Sequence, residues 1–165
     1  MQTNELNASL GLLFSELVDG ASSHGGAFIL NTGDLGLLRS LDRVPAADAS
    51  RSVNGGATIA AHAQHLRYGL SLMNRWAAGA GDPFADATWD AAWHTRDVDE
   101  AAWQEIRGGL RDEAHRWLTA LRTPREVSET ELAGLIASIA HSAYHLGAIR
   151  QINKDARGPR EGTFS

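Results

Sequence analysis

The chain has 165 residues, 43% of them hydrophobic, and its 15 basic and 20 acidic side chains give a formal charge of −5. That length supports one domain with a sizeable core, and the scattered positive charge argues against nucleic acid as a partner. With no run of eighteen apolar residues and no basic-then-apolar leader at Met1-Gln2-Thr3-Asn4-Glu5, neither a membrane span nor a secretory signal is expected, and a cytoplasmic location is the default expectation.

Leu6, Leu10, Leu13 and Leu17 recur at helical spacing and predict a first long helix from about Asn4 to beyond Val18. The glycine-bearing stretch Gly20 to Asp34 reads as a structured loop, after which Asp34 can cap a short helix through about Leu41. Pro45 and Gly55-Gly56 punctuate the approach to a second long helix, Thr58 to about Ala78, which Gly79, Gly81 and Pro83 stop. A connection bearing Trp89 and Trp93 leads to Asp97-Val98-Asp99-Glu100, which reads as a capping box for a third helix carrying Trp103, Ile106, Leu110, Ala114, Trp117 and Leu121. Pro124 ends that helix. Ser128-Glu129-Thr130-Glu131 repeats the capping signature before a fourth helix that ends near Asn153, with Leu132, Ile136, Ile139 and Leu146 as its main apolar stripe.

Four long helices without an alternating strand pattern predict an all-α fold, a four-helix bundle whose two long connections cross over its ends. The domain is expected over residues 1–155, with 156–165 a C-terminal tail in which the polar, turn-rich Arg157-Gly158-Pro159-Arg160-Glu161-Gly162 is expected to be extended or loosely ordered.

His141 and His145 stand one turn apart in His141-Ser142-Ala143-Tyr144-His145, on a row otherwise occupied by the small Gly134, Ala137 and Ala148. At about 100° per residue they diverge by only about 40°, so both imidazoles can reach one ion if a neighbouring helix supplies a third ligand. His62 and His65 on the second helix both offer that nitrogen. His65 is preferred because Thr58, Ala61, Gly69, Leu72 and Trp76 share its side, which leaves His62 as a supporting or solvated neighbour. No carboxylate lies in the turn around either histidine of the fourth helix, against a di-iron carboxylate pattern, and His141 lacks the following glutamate of the zinc-protease motif. The chain has no cysteine, so any metal is held by nitrogen and oxygen, and sulfur chemistry would need a sulfur brought by the substrate or cofactor. His24, His94 and His115 read as solvated, Trp103 and Trp117 as core, and Tyr144 as facing another helix rather than the ion; Trp76, Trp89 and Trp93 are candidates to wall a pocket.

The helix-two segment Thr58-Ile59-Ala60-Ala61-His62-Ala63-Gln64-His65-Leu66, together with His141-Ser-Ala-Tyr-His145-Leu-Gly-Ala-Ile-Arg-Gln-Ile, resembles the DinB-like superfamily over about Leu6 to Asn153. The resemblance implies a four-helix bundle of DinB-like type with crossover connections and a homodimeric assembly. It implies a divalent metal, zinc, nickel or another late first-row ion, held by His65, His141 and His145. It further implies a small-molecule substrate and, as in some relatives, a low-molecular-weight thiol cofactor in a transferase or isomerase reaction. The corresponding expectation is a metal-dependent enzyme that activates a thiol or water. The alternative is a non-catalytic helical protein that binds a metal or small molecule, of the stress-response type.

Overall fold

The computed structural model describes residues 3–23 and 26–159; His24 and the end of the tail, including Arg160-Glu161-Gly162, lie outside the described residues. Within them the chain is all-helical: α1 (Thr3–Asp19), α2 (Gly36–Leu41), α3 (Ala46–Ala49), α4 (Ile59–Ala77), α5 (Trp89–Trp93), α6 (Glu100–Arg122), α7 (Glu129–Ile152) and a 3-10 turn, Lys154–Ala156. The four long elements are those read from periodicity, whereas α3 and α5 are too short to carry a periodic signal. The chain divides into two compact units, residues 44–120 and the combination of 1–43 with 121–165.

In residues 44–120, the Thr58 hydroxyl caps α4 by accepting from the Ala61 N–H at 3.1 Å. The cap of α6 is Asp99, two residues beyond the expected Asp97; its Oδ1 accepts from the Ala102 N–H at 2.8 Å, and with alanine at that third position and Glu100 inside the first turn it is a simple cap rather than the expected box. Two aspartates two residues apart both satisfy the cap pattern, and the chain uses the one with N–H groups in reach. Trp103 and Trp117 are fully buried. At about 25 cal/mol per Å² over roughly 200 Å² of ring, each contributes about 5 kcal/mol of gross transfer free energy. Trp103 also donates from Nε1 to the Val44 carbonyl at 2.7 Å, and Asn74 on α4 donates to the Glu113 carbonyl on α6 at 2.9 Å.

In the other unit α1 packs against α2 and α7. The loop after α1 is organised by Glu16, buried at 6% exposure, whose carboxylate accepts from the N–H groups of Phe28, Ile29 and Leu30. Gly20 (φ 103°) and Gly36 (φ 73°) let α1 and α2 approach so closely that a Cβ on either would overlap backbone of the other segment. The cap position of α2 falls on Leu35 rather than on the expected Asp34, which accepts from the Gly36 N–H at 2.8 Å and is paired with Arg150 of α7 at 2.6 Å. Arg150 reaches on to the Ala156 carbonyl, and Arg157 donates back to the Arg150 carbonyl at 3.0 Å. Ala156 is fully buried, and Gly158 lies against the Asp34 carboxylate.

The Ser128 and Glu131 box at the start of α7 is formed reciprocally, and its hydrogen bonds to Ser128 hold the Glu131 carboxyl below the ordinary carboxylate value. The inward face of α7 is Leu135, Ile139, Ser142, His145, Leu146 and Ile149. Ile136, expected in the apolar stripe, is instead 51% exposed. α7 is apolar nearly all round, so the sequence leaves the choice of buried sector to tertiary packing. By length and composition alone α7 could cross a membrane, a criterion that the core helix of a soluble protein also meets.

Candidate metal centre

On α7 the i, i+4 spacing brings Nε2 of His141 and Nε2 of His145 to 3.1 Å. Two nitrogens each about 2.05 Å from one zinc ion stand about 3.3 Å apart at the tetrahedral angle and about 2.9 Å apart at a right angle, so this pair has a chelating separation. The same distance suits a hydrogen bond between two neutral rings, one donating and the other accepting. The two histidines differ in environment: His145 is 1% exposed, on the inward face, while His141 is an exposed residue. Burial of part of the ring nevertheless pulls the His141 imidazole below its ordinary value of 6.5, which favours the neutral, ligating form.

On α4, His65 is 6% exposed and its ring is stacked on Trp93, with centroids 4.3 Å apart and planes inclined at 26°. Trp89 approaches the same imidazole at 5.7 Å and also meets the ring of Tyr68 edge-on at 5.6 Å. Gly69, one turn beyond His65, faces the Trp89 ring, which a Cβ there would meet at an ordinary contact distance of 3.5 Å. His62 is buried too, meets Trp93 edge-on at 5.3 Å, and is pulled below its ordinary value by that burial.

One ring nitrogen from each of His65, His141 and His145 lies within 4.8 Å of the others, and the group could hold a metal ion. It contains no carboxylate. Neutral imidazoles alone would leave a divalent ion's charge uncompensated, and three protein ligands would leave coordination positions for a further molecule. The donor chemistry therefore fits a late first-row divalent ion better than magnesium or calcium, which prefer oxygen.

His94 and His115 are exposed, as expected, and His94 lines an open groove of about 640 Å³ with Gln64, Arg67 and Glu105. Tyr144 differs from expectation. It is 68% exposed, and its ring lies edge-on to His145 at 5.1 Å, so it presents its hydroxyl to no helix core. The aromatic surroundings of His65 were not placed by sequence reasoning; the one local signal is the i, i+4 spacing of Trp89 and Trp93, the same as that of the histidine pair.

No known protein-family description matches the chain, and no curated protein or solved structure matches it.

Proposed function

We propose that this chain is a metal-dependent enzyme of the DinB-like type, a four-helix bundle in which His65, His141 and His145 hold a divalent late first-row ion. The observation that carries the reading is the grouping of three imidazole nitrogens within 4.8 Å without a carboxylate among them. When bound, the ion supplies Lewis acidity that draws a thiol or water toward its anion. The chain's own contribution is to present neutral ligands: burial lowers the proton affinity of His141, and the indoles of α5 pack against His65. With no cysteine of its own, the protein would take any thiol from a low-molecular-weight cofactor or the substrate, and a thiol-dependent transfer on a small molecule is the reaction class proposed.

The same reading includes a homodimer, for which exposed Ile136 and Tyr144 on α7 offer apolar surface; sedimentation velocity tests it. The decisive test is metal analysis of protein made without a histidine tag. Near-stoichiometric zinc or nickel that is lost when all three histidines are replaced supports the proposal. No stoichiometric metal, or uptake indifferent to those replacements, refutes it. Bound metal with every coordination position filled by protein would favour the non-catalytic alternative.

A further inference from the structure

Rotation of a histidine ring about its last torsion is soft, with broad wells, so an imidazole that must aim one nitrogen at an ion needs something against its face. For His65 that neighbour is Trp93, stacked at 4.3 Å, with Trp89 one turn earlier at 5.7 Å. These indoles are not core filler in the manner of Trp103 and Trp117, which are fully buried: Trp89 is 39% exposed and Trp93 is only partly covered.

A five-residue helix such as α5 does not hold itself in place. It is tied to α4 at both ends. Before it, the Thr88 N–H donates to the Tyr68 hydroxyl at 2.9 Å, and the Tyr68 ring meets Trp89 edge-on. After it, the Thr58 hydroxyl donates to the Thr95 carbonyl at 3.3 Å. Thr58 is the cap of α4, and Tyr68 stands one turn beyond His65 on that helix. Both anchors therefore belong to the helix that carries His65, so the tryptophans are registered to the imidazole they contact.

We propose that α5 is an orienting clip and that Trp93 is a positioning residue for His65, fixing its ring plane and thereby setting the affinity for a divalent ion. The inference rests on the metal-site reading above. Groups that orient a ligating histidine are typically worth about 10- to 100-fold in metal affinity, and a stacked indole takes that part here.

The test uses the full-length, untagged protein and zinc, with affinity measured by competition against a chromophoric chelator, alongside the visible spectrum of the cobalt-loaded protein. Trp93→Leu, which keeps apolar bulk but no aromatic face, is expected to weaken zinc binding by about tenfold or more and to alter the cobalt bands. Trp93→Phe, which restores a face, is expected to return both close to wild type. Rescue by the aromatic variant separates ring orientation from simple filling of space. A folded Trp93→Leu protein with wild-type affinity and an unchanged cobalt spectrum overturns the proposal while leaving the metal site intact. Wild-type protein that takes up no zinc overturns both readings together. Should Trp93→Leu fail to fold, Tyr68→Phe removes only the tie to Thr88: weakened zinc binding supports the clip, and unchanged binding overturns it.

Discussion

His141→Ala separates metal binding from folding, because His141 is the exposed member of the group while His65 and His145 are 6% and 1% exposed. Replacement of an exposed side chain ordinarily moves stability by no more than about 0.5 kcal/mol, and loss of the 3.1 Å contact with His145 adds about 0.5–1.5 kcal/mol. In a chain of this size about 1 kcal/mol corresponds to roughly 2–4 °C, so the metal-free variant should melt no more than about 8 °C below wild type and remain folded. Zinc at a hundred times its dissociation constant adds about 2.7 kcal/mol to the wild type, a rise of about 5–11 °C. Loss of one of three imidazoles that weakens affinity about a thousandfold leaves the same zinc at a tenth of the new constant, worth under about 0.1 kcal/mol. Differential scanning calorimetry of untagged protein, with zinc added and then removed by EDTA, reads all four states. A zinc-induced rise that survives His141→Ala, or one that is missing from the wild type, would refute the reasoning.

Glu16→Gln should free the loop it organises: the amides of Phe28, Ile29 and Leu30 lose a charge-assisted acceptor worth about 1.5–3 kcal/mol, and their hydrogen exchange should quicken by tenfold or more while α4 and α6 stay protected. Asp34→Ala leaves the Arg150 guanidinium without its 2.6 Å partner at a site where the aspartate is 1% exposed, and should cost about 3–5 kcal/mol in urea unfolding. Stability of the metal-free protein should also depend on pH. Burial lowers the imidazole of His62 below its ordinary 6.5. The unfolded chain then binds more protons than the folded one below that value, so stability is fully present above about pH 6.5 and falls as pH drops through the window beneath it. Thermal melts from pH 7.5 to 5 check the sign, and His62→Gln should flatten the slope.

Where the structure agrees with expectation, the chemistry is local. Ser128 and Glu131 sit three residues apart in front of an apolar run, and three residues suffice to decide a capping box. Asp97 and Asp99 show the limit of the same reasoning, since only Asp97 has a glutamate three residues on, yet the path of the chain places Asp99 at the cap. The histidine pair was legible because i, i+4 geometry fixes the angle between His141 and His145 whatever α7 packs against. Which of them faces inward was not. A wheel gives relative angles, and on a helix apolar nearly all round it cannot say that Ile136 stays outside while His145 goes in. The clip over His65 was beyond local reading for another reason: its anchors, Thr58 to Thr95 and Tyr68 to Thr88, join residues 37 and 20 positions apart.

The inward placement of His145 bears on why an imidazole stands there at all. The position lies among Leu135, Ile139, Leu146 and Ile149 on the covered face of α7, where a leucine would bury similar volume without desolvating a polar ring. If the residue serves only the fold, its contacts should be worth more than that desolvation, and His145→Leu should destabilise the metal-free protein by 1 kcal/mol or more. If it serves an ion, the fold accepts a histidine where a hydrophobe would do better. His145→Leu should then leave the metal-free melting temperature unchanged or raised by a few degrees, while the zinc-dependent rise disappears. Melting the variant with and without zinc distinguishes the two. A marked loss of stability without metal, with the zinc response retained, would make His145 a structural residue and remove the buried member of the chelating pair.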